Sequence, residues 1–181
     1  MTAVAAPARP NGWWGMALFV ATEATLFGAL IGTWVYLRLQ NDHWPSPPAL
    51  TPILLTAALV LTSPLMQLAW HNARAWQRSR AWLFIAAAFA IQGFYFAWQA
   101  HDYVLAIHAY PPDQSAFASL YVTILGLDHA HVFVGLLLQA WLLMRLATKL
   151  TRYRLVGVQA TTFYTHAVNV ITVVVVLVTV T

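Results

Sequence analysis

The chain has 181 residues, 61% of them hydrophobic and 8% charged, with a formal charge of +4 and no cysteine. An ordinary soluble domain carries about 25% charged residues, and a chain of this length cannot hide so much apolar surface in one globular core, so its class is polytopic membrane protein. Missing cysteine excludes disulfides, thiolate metal sites and iron–sulfur clusters, and the basic residues gather in two short connections rather than along a face, which points to membrane topology and not to nucleic acid.

The segment Met1–Asn11 is rich in Ala and Pro and reads as part of a short disordered tail over residues 1–12. It is not a cleaved signal: the apolar run behind it is too long and contains an acid. Residues 13–181 read as one transmembrane domain, an all-α bundle of five helices. The spans are expected at about Trp13–Leu37, Pro52–Trp70, Ala81–Ala100, Ser119–Leu146 and Leu155–Val180, each meeting the ~20 residues a bilayer requires. The first connection, "NDHWPSPPALTP", and the third, "HAYPPDQS", are turns by their proline density.

The second connection holds Arg74, Arg78 and Arg80, and the fourth holds Arg145, Lys149, Arg152 and Arg154, both without an acid. Both are expected on the cytoplasmic side, with the N-terminus and Arg9 inside and the C-terminus outside, in the periplasm. Arg38, Asp42, Asp102 and Asp113 then fall on the outer side, so eight of the nine basic residues are inside. Trp13, Trp14, Trp44, Trp70, Trp76 and Trp82 stand near span ends, as interfacial anchors do. Small residues that permit close helix packing recur as Ala24, Gly28 and Gly32 in the first span, as Ala86, Ala90, Gly93 and Ala97 in the third, and at Gly135 in the fourth.

Polar groups lie deep in three spans. Glu23, the single glutamate, is about 15 Å along its helix from Trp13, near the middle of a bilayer. Asp128, His129 and His131 sit at similar depth in the fourth span, and His166 and Asn169 in the fifth. Such groups face inward and satisfy one another. Phe19, Leu26, Phe27 and Leu30 surround Glu23 on its own helix, so its partner must come from another one. His166 is the favoured partner, with Asp128 or His131 as alternatives.

Three functions compete at this point. A bis-histidine haem could use His131 and His166, but His129 and His131 are about 200° apart on a helix and no two histidines stand at the i, i+4 spacing that suits one metal. A proton or ion path would use Glu23 and the histidines. The third reading is structural, a polar cluster that fixes helix register inside a larger complex. His43, His71, His101 and His108 lie at or beyond span ends, and "GFYFAW" reads as packing and aromatic belt.

Four stretches resemble subunit III of haem–copper cytochrome oxidases, in order and over nearly the whole chain. "WWGMALFVATEATLFGALIGTWVYLRL" resembles that family's helix with a buried glutamate followed by Phe. "QAHDYVLA" resembles its Gln-x-x-Glu-Tyr stretch, with Asp102 for the glutamate. "SAFASLYVTILGLDHAHVFVGLLL" resembles a segment ending His-Gly-x-His-Val-x-x-Gly, and "FYTHAVNVI" resembles Tyr-Trp-His-Phe-Val-Asp-Val. The chain looks like the five-helix form, without the first two helices of seven-helix members. It departs at Asp128, which replaces the first histidine of the pair, and at Thr165, Asn169 and Thr172, which replace Trp, Asp and Trp. Glu23, His131 and His166 carry over directly, Asp128 and Asn169 as substitutes. A related branch, the accessory protein of nitric oxide reductase, is the alternative.

The resemblance implies a non-catalytic subunit in the inner membrane of a bacterium. It would steady the catalytic subunit I, contact subunit II and small subunits, and help sustain proton uptake in an oxidase of cytochrome c or quinol. Haem and copper would belong to the partners and none to this chain, while bound phospholipid is expected at its interfaces.

Overall fold

The computed structural model describes residues 11–45 and 50–180. Its helices are α1 (Asn11–Leu39), α2 (Leu50–Val60), α3 (Thr62–Arg74), α4 (Arg78–Ala109), α5 (Ala116–Thr148) and α6 (Arg152–Val180), and no strand occurs among the described residues. With α2 and α3 counted as one interrupted span, Ile53–Arg74, five helices are long and apolar enough to cross a membrane. Of the expected tail, residues 1–10 lie outside the described residues, while Asn11 and Gly12 already belong to α1. Part of the proline-dense turn, residues 46–49, also lies outside them.

Two boundaries differ from expectation for physical reasons. The third span continues past Ala100 to Ala109, so His101, Asp102 and His108 are helical. Polar residues there end the apolar run but not the helix, because no Gly or Pro intervenes before Pro111. The second span is broken at Leu61 although that residue keeps right-handed helical dihedrals. Pro64 has no N–H to give the Val60 carbonyl, and its ring crowds that carbonyl, so the hydrogen-bond ladder parts one turn upstream of the proline.

Helix α6 is the hub, packed by α1, α2, α3 and α5, while α4 packs on α2, α3 and α5. Helix α1 is the most peripheral and buries only Phe27 and Trp34. Its inward row is Glu23, Phe27, Leu30 and Trp34. The row Ala24, Gly28 and Gly32 is turned about 100° away from it. A Cβ at Gly28 or Gly32 would meet nothing within 4 Å. That row therefore does not pack helices inside this chain, contrary to the expectation. In α4 the packing face is Ala81, Ile85, Ala88, Gln92 and Tyr95, and Ala90 and Ala97 of the expected row are exposed. Gly135 does sit at a close helix contact: a Cβ there would lie 2.5 Å from Gln92 Nε2.

The two arginine-rich links meet at one end of the bundle. Arg78 donates to the carbonyls of Ala147 and Thr148, and Arg154 to those of Arg145 and Lys149, so cations from both links serve the C-terminal carbonyls of α5. The α3–α4 link closes in a Schellman turn, with Gln77 N–H bonded to Asn72 O and Trp76 N–H to Ala73 O. Trp76 takes the left-handed position, φ 58°, usually given to glycine. At the opposite end Trp34 is enclosed by Trp44, Phe117 and Tyr121 and donates to Val178 O at 3.1 Å. Trp44 is thus a packing residue, not the interfacial anchor the sequence suggested.

Candidate functional site: polar contacts in the bundle core

Glu23 points inward from α1 and meets His131 of α5, with Oε2 2.8 Å from Nε2. Both side chains are largely enclosed, 18% and 12% exposed. The other ring nitrogen, Nδ1, lies 2.6 Å from the Leu127 carbonyl one turn back on α5. A carbonyl oxygen only accepts, so Nδ1 carries a hydrogen. One further proton then lies between Nε2 and the carboxyl group. Whichever side holds it, the pair is neutral as a unit, which is how an acid at this depth is accommodated. Phe27 stands edge-on to the imidazole at 5.3 Å, and the Tyr164 hydroxyl donates to the His131 carbonyl at 3.0 Å, tying α6 to the same turn of α5.

The favoured pairing of Glu23 with His166 is therefore corrected. His166 faces α3, where its Nε2 donates to Gln67 Oε1 at 3.3 Å in an exposed position. The sequence carried no signal for this choice: two histidines at similar depth differ only in which way their helices are rotated. His131 and His166 also turn to different helices, the first to Glu23 of α1 and the second to Gln67 of α3. Both ring nitrogens of His131 are engaged within the chain, which does not favour the bis-histidine haem reading. Among the described residues no group of three or more His, Cys, Asp or Glu side chains is placed to hold a metal ion.

Asp128 forms a second node one turn from His131. It is fully buried; Thr172 donates to Oδ1 at 2.7 Å and Gln99 Nε2 to Oδ2 at 3.4 Å. Asp128 and Thr172 are two departures from the resembled pattern, and they are bonded to each other across α5 and α6. His129 points the other way, stacked on Phe96 of α4 at 4.2 Å, as the 200° separation from His131 requires.

Asn169, a third departure, closes the break in the second span. Its Nδ2 lies 3.2 Å from Leu59 O, 3.0 Å from Thr62 Oγ1 and 2.7 Å from Ser63 Oγ. The interruption caused by Pro64 is thereby bridged from α6. Pattern reading of α6 alone gave no hint that the partner would be an opened helical turn. A further contact was missed: Gln92 donates to Val132 O at 2.8 Å and accepts from Gln139 Nε2 at 2.7 Å. Glutamines inside apolar runs are the signal that could have found it.

No family model matches the chain. Curated relatives do. Cytochrome c oxidase subunit 3 of Bacillus subtilis (strain 168) is 25% identical over 170 residues, covering 89% of this chain and 81% of the relative. Cytochrome c oxidase subunit 3 of Bacillus sp. (strain PS3) is 26% identical over 186 residues, covering 94% and 90%. Cytochrome bo(3) ubiquinol oxidase subunit 3 of Pseudomonas aeruginosa is 26% identical over 147 residues, covering 78% and 69%. Over most of its length, and with a five-span helical bundle in which Glu23 and His131 are joined, the chain is similar to subunit 3 of cytochrome c and ubiquinol oxidases.

Proposed function

We infer that the chain is a non-catalytic subunit of a terminal oxidase in the bacterial cytoplasmic membrane. It binds the catalytic subunit I, steadies it through turnover and supports its proton uptake, with subunit II and small subunits completing the complex and phospholipid filling the contacts. The relatives' names support the assignment for both cytochrome c and quinol oxidases. The observation that carries the binding role is the His166–Gln67 pair, an exposed glutamine bonded to a half-buried histidine on the outside of the bundle within two apolar spans. Polar side chains at that depth do not face lipid; they face protein or a water-filled space. The outward Ala24, Gly28 and Gly32 row of α1 offers a second smooth surface for a neighbouring helix.

The core contacts support a structural role rather than redox chemistry of this chain. Glu23, His131, Asp128 and Asn169 are each bonded to another helix, which fixes rotation and register. The test is copurification in mild detergent with a tag on this chain. Haem-containing catalytic subunits should be recovered in stoichiometric amount, and the replacement of Gln67 and His166 by Leu should lower that recovery severalfold. Recovery of the chain alone, with a Soret band of its own, would overturn the reading.

A further inference from the structure

A cavity of about 70 Å³ lies between α2, α4, α5 and α6 at the end of the bundle remote from the arginine-rich links. Asp102 stands at its half-exposed mouth, and Tyr95, Gln99, Tyr103 and Tyr121 supply polar groups to walls otherwise made of residues such as Leu125. Gln99 lies one hydrogen bond from Asp128, which is not itself in the wall. We propose that this cavity is a water-binding inlet that hydrates the Gln99–Asp128 contact from the Asp102 end of the bundle.

Three observations carry the assignment. The volume exceeds the about 10–15 Å³ that one water needs by this measure, and cavities stay dry when their walls are wholly apolar, which these are not. Gln99 Oε1 is enclosed without a hydrogen-bond partner in this protein, and buried acceptors of that kind are nearly always met by ordered water. Asp128 is under-supplied: a carboxyl group with several acceptor positions receives one good bond, from Thr172, and one long bond of 3.4 Å from Gln99. The terminal torsion of a glutamine is broad, so the Gln99 amide, which lines the cavity, is free to turn toward water held there. The site is independent of the oxidase assignment, since it rests on this chain's own walls.

The test uses the chain's freedom from cysteine. Gln99→Cys and, as a control one residue away on the outward face, Trp98→Cys are placed in the full complex in lipid nanodiscs. Both are exposed to Ag⁺ and then counted by maleimide labelling after denaturation. Thiols react as thiolates, which need water, so Gln99→Cys is expected to be blocked at least about tenfold faster than Trp98→Cys. Adding Ala106→Phe, which fills the cavity, should remove the difference. Equal rates for the two single variants would overturn the proposal. The unmodified complex provides the second measurement: a high-resolution map should show water within about 3.2 Å of Gln99 Oε1. An acyl chain, a coordinated cation or empty space there would overturn it as well.

Discussion

The Glu23–His131 contact shows what a single buried acid requires. Its neutrality as a pair, the Leu127 carbonyl that fixes the imidazole and the Phe27 edge make one unit, so removing either partner leaves a polar group unanswered in an apolar surrounding. We expect Glu23→Ala and His131→Ala each to cost about 2–4 kcal/mol of unfolding free energy in mixed micelles, and the double variant to cost little more than one. Additive costs would mean that the two side chains do not interact. In the complex, Glu23→Ala should reduce assembly and durability before it reduces initial oxygen uptake; immediate loss of all uptake would contradict a structural role. At this scale the sequence was legible in kind and not in pairing. Depth and charge marked Glu23, His131, Asp128 and Asn169 as inward groups. The choice between His131 and His166 depended on helix rotation, which apolar residues on every side of a membrane helix do not encode.

Among the elements, the informative ones are those where helix geometry is broken or crowded. Pro64 opens the second span, and Asn169 of α6 answers the opened turn. The two changes should therefore couple. Asn169→Leu is expected to cost about 1–3 kcal/mol in the natural background and clearly less in the Pro64→Ala background, where the turn that Asn169 contacts closes into a continuous helix. Equal costs in both would separate Asn169 from the break. Gly135→Ala drives a methyl group into Gln92 and should cost about 1–3 kcal/mol, while Gly28→Ala, with open space around it, should change the isolated chain by less than about 1 kcal/mol and act only on association. Thermal unfolding of the isolated chain beside copurification yield distinguishes these two glycines. Small-residue rows alone did not reveal which of them packs inside. The row at Gly28 and the lone Gly135 look alike as composition, and only the position of Glu23, Phe27 and Trp34 on the inward face of α1 decides between them.

For the whole molecule, the number of spans and the grouping of basic residues were readable because both follow from the bilayer's demands on any sequence. Span ends were less so, since α4 carries its polar residues on a helix that outruns the apolar stretch. Sidedness is the remaining global property and follows from charge. Arg78 and Arg154 converge on the end of α5, so both arginine-rich links share one end of the bundle, while Asp102 and Asp113 lie toward the other. Basic residues in short loops are retained on the cytoplasmic side. Ser79, in the first turn of α4, and Asp113, between α4 and α5, are both exposed and lie near opposite ends. With Ser79→Cys and Asp113→Cys made singly, a membrane-impermeant maleimide applied from the periplasmic side should label only Asp113→Cys. Ser79→Cys should label only after the membrane is opened. The reverse pattern would invert the bundle, and labelling of both from one side would break the five-span arrangement itself, since an uneven number of crossings separates the two residues.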